Sequence, residues 1–131
     1  LNKWRITMKQ ATISLLMAAV VFTGAWAAGA EKINENGIMK LSGTIIDNLC
    51  ARAHGDNIEA FIKSHTKECA LMPKCAASGY ALYHYGATIR FDRAGSKKIE
   101  QFLKKKESSL NVVVEVKKSG HQYSLVSIRN R

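Results

Sequence analysis

Between residues 38 and 47 apolar and polar positions alternate, so that Met39, Leu41 and Ile45 fall on one face of an extended segment. Gly43 stands where that face would carry another apolar side chain, and a glycine inside a strand marks a bulge or sharp bend. After Asp47 the alternation stops. Asp56 followed three residues later by Glu59 is a capping-box pattern, and Ile58, Phe61, Ile62 and His65 continue at helical spacing. This predicts a short helix carrying His65 and, one turn on, Cys69, with the two side chains on one face. Pro73 is expected to end any continuation and turn the chain into Cys75.

From Ser78 the period returns to two. Residues 80–83 and 88–92 predict a hairpin with its turn near Tyr85-Gly86. Ser96 is the expected cap of a second helix in which Ile99, Phe102 and Leu103 face inward. Residues 110–117 and 122–128 predict a second hairpin through Ser119-Gly120, and the β-branched run Val112, Val113, Val114 and Val116 belongs in a strand. The order is strand, inserted helix, strand, strand, helix, strand, strand. This is a mainly β, α+β fold with two helices, and it matches a five-stranded OB-like (oligonucleotide/oligosaccharide-binding) barrel with a Cys/His-containing helical insert after strand 1. An α+β sandwich built from the same elements is the alternative.

The first thirty residues change the picture of where this domain works. Lys3, Arg5 and Lys9 form a positive region, residues 13–23 are apolar, and Ala25-Trp26-Ala27 and Ala28-Gly29-Ala30 offer the small-x-small pattern of signal-peptide cleavage. The apolar run is shorter than the roughly 18 to 20 residues that a spanning helix needs. Residues 1–30 therefore read as a secretory signal, with Leu1 to Thr7 as a possible upstream extension before Met8, and residues 31–131 as a single OB-like domain in the periplasm or secreted. Removing Lys3, Arg5 and Lys9 from the 20 basic residues leaves 17 against 10 acidic ones, a net charge of +7. Such a charge suits an anionic cell-envelope polymer or a lipid surface, and export argues against nucleic acid. The lysines at 97, 98 and 104–106 also read simply as the wet face of the second helix.

The candidate chemistry is concentrated between Asp47 and Tyr80. This stretch holds all three cysteines, Cys50, Cys69 and Cys75, two of the four histidines, His54 and His65, and the single proline. Two arrangements fit an exported chain. One is a disulfide joining two of the three cysteines and leaving one thiol. The other is a metal site of three thiolates and one imidazole, which suits zinc and also copper(I), with Met72 a further soft donor for copper. Either would staple a small core.

The element Asp47-x-x-Cys50-x-x-x-His54, then two closely spaced cysteines, then Ser78-Gly79-Tyr80, resembles a group of small exported bacterial OB-like proteins of uncharacterised function. The resemblance covers nearly all of residues 31–131. It departs at the second pair, which here is C-x-x-x-x-x-C instead of C-x-x-x-C. It implies the fold, the compartment and a site at these residues, and it favours His54 over His65 as the fourth ligand. It implies no activity.

A cysteine beside a histidine is also the starting requirement for a nucleophile, which both Cys50/His54 and Cys69/His65 meet. No C-x-x-C redox pair, C-x-x-C-H haem attachment, glycine-rich phosphate loop or G-x-S-x-G elbow accompanies them, so the reading is of a non-enzymatic domain. Its alternatives are metal binding as the primary role, and a glycan- or other anion-binding module. The latter would use Tyr80, Tyr83 and Tyr85 on the first hairpin beside Arg90, as OB barrels hold sugars and nucleotides.

Overall fold

The computed structural model describes residues 32–131. The expected leader, residues 1–30, lies outside the described residues. No helix among the described residues is long and apolar enough to cross a membrane. Five strands, β1 (Ile38–Asp47), β2 (Tyr80–His84), β3 (Ala87–Arg90), β4 (Asn111–Ser119) and β5 (Gln122–Asn130), form one antiparallel sheet in the order β3-β2-β1-β4-β5. The fold is mixed α+β, with five α-helices among the described residues instead of the two expected. Four are short and lie between β1 and β2: α1 (Asn48–Ala53), α2 (Ile58–Phe61), α3 (Lys67–Ala70) and α4 (Pro73–Ala77). The fifth, α5 (Arg93–Leu103), follows β3.

β1 organises the sheet because it has two partners in succession. Residues 38–44 pair with β4, and residues 44–47 pair with β2. Gly43 sits at the handover. A β-carbon there would overlap the Tyr83 carbonyl oxygen and stand 2.9 Å from Leu82 Cγ, so the close approach of β2 requires a glycine. On either side of it the expected alternation holds: Met39, Leu41 and Ile45 are buried with Val112, Val114 and Val116 of β4, Leu82 of β2, and Ile99 and Leu103 of α5. Burying each such side chain contributes about 1.5–3 kcal/mol. An isolated parallel bridge joins Phe91, just after β3, to Tyr123 of β5, where the Asp92 N–H donates to the Tyr123 carbonyl at 2.9 Å.

Several local expectations are corrected. Asp56 does not cap a helix; it lies in a 3-10 turn, Gly55–Asn57, and α2 begins without a side-chain cap. The single helix expected to carry both His65 and Cys69 ends near Phe61, and Cys69 belongs to the separate helix α3. Pro73 opens a helix instead of only ending one, since the first position needs no N–H donor. The cap of α5 is Asp92, whose Oδ1 accepts the Gly95 N–H at 2.7 Å, while Ser96 Oγ accepts the Tyr80 N–H at 3.0 Å. The second hairpin turns at Gly120-His121, between the paired residues Ser119 and Gln122.

Candidate metal centre

Asp47 is the last residue of β1 and the N-cap of α1. Its extended backbone (φ −75°, ψ 151°) lets Oδ1 accept the Cys50 N–H at 2.9 Å. The same geometry recurs at Thr66, whose Oγ1 accepts the Cys69 N–H at 3.1 Å at the head of α3. Cys75 is likewise the third residue of its helix, after Pro73 and Lys74. All three thiols therefore leave the first turn of a short helix. Such helices are marginal alone, so their positions depend on tertiary ties.

Those ties are specific. The α4–β2 junction is fastened to the head of α1 by three bonds: Asn48 N–H to the Gly79 carbonyl at 2.9 Å, Asn48 Nδ2 to the Ser78 carbonyl at 2.9 Å, and Leu49 N–H to Ser78 Oγ at 3.0 Å. Gly79 makes the turn at φ +81°, and a β-carbon there would press on Asn48 Nδ2 at 3.0 Å and Ser96 Oγ at 3.1 Å. This holds Cys75 beside Cys50. Helix α3 is held by the Tyr80 hydroxyl, which donates to the Ala70 carbonyl at 2.9 Å, and by Lys67 Nζ, which donates to the carbonyls of Lys105, Lys106 and Ser108 at 3.0–3.1 Å. Together these bonds bring Cys69 within reach of Cys50 as well, in a group separate from Cys75.

His65 enters from the loop between α2 and α3. Its ring is fully buried, with Nε2 3.4 Å from Asp47 Oδ2. The angles do not make that approach a hydrogen bond: Asp47 Oδ2 and both ring nitrogens of His65 are buried without a hydrogen-bond partner. Phe61 lies between the two histidines. Its ring stacks on His54 at 3.8 Å between centroids and tilts against His65 at 5.1 Å. His54 is thereby held on the exposed outer side, and His65 faces the cysteines.

Cys50 is the hub. Its Sγ lies within 4.8 Å of ligand atoms on His65 and Cys69, which also lie within that distance of each other; the same holds for Cys50 with Asp47 and Cys75. All three thiols are free, with no disulfide at bonding distance. Burial, the Asp47 carboxyl and the neighbouring thiols push the Cys50 thiol up to about 12. Burial first, then Asp47, also pushes Cys75 up. For His65, burial outweighs the attraction of Asp47 and lowers its pKa, so the ring is neutral near pH 7 and has a lone pair to offer. A zinc or copper ion could be held at either group, by Cys50, Cys69 and His65 or by Cys50, Cys75 and Asp47.

Of the candidate residues, Cys69 and Cys75 each come within reach of Cys50 but in two separate groups, and the histidine that joins Cys50 and Cys69 is His65, not the favoured His54. Asp47, which the D-x-x-C spacing contained without assigning it a role, is a buried member of the group. On the first hairpin, Tyr80 lies in the core and offers no face to a ligand. Tyr83 is half-buried and Arg90 exposed, on the same face of the β2–β3 pair, and Tyr85 projects from the turn at 86% exposure. The chain matches no protein-family model, and comparison with curated proteins and with solved structures found no match.

Proposed function

We propose that this domain binds one thiophilic metal ion, zinc(II) or copper(I), through Cys50, Cys69, Cys75 and His65 on an exported OB-like barrel. The observation that carries the reading is the pair of buried ring nitrogens on His65, unpartnered beside a thiol hub. A buried polar group without a partner costs about 1–3 kcal/mol, and here three such atoms lie together. A disulfide from Cys50 to either neighbour would leave those atoms as they are. A metal ion would take one imidazole nitrogen, and Nε2–H could then turn onto Asp47 as the carboxylate partner that commonly orients a ligating histidine. Burial and Asp47 disfavour an uncompensated thiolate here, and a bound cation would supply the compensation by deprotonating its sulfur ligands.

The binding role in this reading is structural or metal-handling; burial and the Asp47 carboxyl, which push the Cys50 thiol up to about 12, make Cys50 a poor nucleophile at neutral pH. Barrel closure is part of the proposal. It is supported by the Phe91/Tyr123 bridge and by the close approach at Gly43. Residues 1–30, read as a secretory leader, would put this activity in the periplasm or outside the cell.

Competition against chromophoric zinc and copper(I) chelators tests the ligand set. Substituting serine at Cys50, Cys69 or Cys75, or glutamine at His65, is expected to abolish tight binding, while His54→Gln retains it. Loss of binding in His54→Gln with retention in His65→Gln would overturn the assignment.

A further inference from the structure

A groove of about 470 Å³ is lined by Asn48 at the head of α1, by Ala76 and Ala77 of α4, and by α5. Its outer wall is α5, which presents Arg93 and Lys97 one turn apart. Both are exposed, and neither has an acidic partner among the described residues. Glu100, one turn further along, is engaged by Lys104 through Oε1 at 2.6 Å, which leaves its second oxygen available. The opposite wall is Asn48, whose amide nitrogen is committed to the Ser78 carbonyl while its Oδ1 is buried and unpartnered. Ser96 Oγ accepts the Tyr80 N–H and has no acceptor of its own among the described residues. The aromatic at the wall, Phe91, is 2% exposed, so the groove offers no aromatic face on which a base could stack.

We infer that this groove is a binding site for a small acidic carbohydrate. Its acid group would lie between Arg93 and Lys97, where a guanidinium and an ammonium can both donate to one oxyanion. Its hydroxyls would donate to the available Glu100 oxygen and accept from Ser96 Oγ, and would reach Asn48 Oδ1 once a shift of that side chain exposes it. The volume exceeds what one inorganic phosphate fills and lies within the range of small-molecule sites. The mixture of two cations with neutral and acidic acceptors suits a ligand that carries both a charge and hydroxyl donors. The acid can be a carboxylate, as in a uronic sugar, or a phosphate, as in a sugar phosphate. The inference is independent of the metal centre.

Amide chemical-shift titration of the domain separates these cases, using digalacturonic acid, glucose 6-phosphate, inorganic phosphate and maltose as probes. One or both acidic sugars are expected to bind and to shift Asn48, Ser96 and Lys97, with their relative affinity identifying carboxylate or phosphate as the acid. Maltose is expected to leave those amides unmoved. Arg93→Ala with Lys97→Ala should weaken binding about tenfold or more, and both sites are exposed helix positions where alanine keeps the fold. An unchanged melting curve confirms that point. Three results would each overturn the inference: no shift with either acidic sugar at millimolar concentration, equal affinity in the double variant, or inorganic phosphate binding as tightly as the sugars, which would mean an adventitious ion only.

Discussion

The Asp47 carboxyl reaches two members of the thiol cluster at once, with Oδ1 on the Cys50 N–H at 2.9 Å and Oδ2 3.4 Å from His65 Nε2. The D-x-x-C spacing is thus a cap spacing, since an N-cap side chain reaches the third residue of the helix it begins. Asp47→Ala should cost about 1–2 kcal/mol through the lost cap, and Asp47→Asn much less. Both should lower the Cys50 thiol pKa from about 12, though only in part, because burial is its largest cause. The pH dependence of Cys50 alkylation in metal-free protein measures this. An unmoved profile in Asp47→Asn would show that the carboxyl does not act on the thiol.

His65 gives the metal-free protein a defined pH response. Burial lowers its pKa from 6.5, so the unfolded chain takes up the proton first as the pH falls. The stability contributed by the neutral ring is fully present above pH 6.5 and is lost as the pH drops from there through the lower folded-state value. Urea unfolding at pH 7.5 and pH 5 should show a larger loss in the parent protein than in His65→Gln. Equal losses would mean that the ring is solvated in solution.

Gly43→Val tests the sheet. Its β-carbon would occupy space held by the Tyr83 carbonyl, and relief requires β1 and β2 to separate where β1 passes from one partner to the other. The expected cost is about 1–3 kcal/mol, read as a lowered denaturation midpoint. An unchanged midpoint would show that β2 does not approach β1 so closely.

Lys67→Met removes the ammonium that joins α3 to the turn after α5. Three carbonyls lose a charged donor, at an expected cost of about 1–3 kcal/mol. Because α3 carries Cys69, the same variant should bind metal more weakly than its loss of stability alone predicts. Chelator competition run beside thermal melts separates the two effects.

The strands and both hairpins were legible because their alternation is a local property: Met39, Leu41 and Ile45 share a face whatever surrounds them. The chemistry between the strands was legible only as a set of residue types. His54 and His65 both stand near a cysteine in sequence, and what separates them is Phe61, which stacks one histidine outward and backs the other toward Cys50. Asp47 gave a signal in the cap spacing to Cys50, but its second contact comes from a loop eighteen residues away. The cap of α5 is hidden from the sequence for a similar reason. Asp92 is fixed there by accepting the Ser124 hydroxyl at 2.5 Å from β5, a partner that no local pattern announces.

Native mass spectrometry combined with thiol counting, on protein isolated from the cell envelope without chelator, tests the central claim most directly. The account predicts one zinc or copper ion per chain and three cysteines that become reactive only after chelation. It also predicts that His65→Gln loses the ion while His54→Gln keeps it. A mass two daltons low with one free thiol and no metal, or three reduced thiols that react freely without chelator, would contradict it.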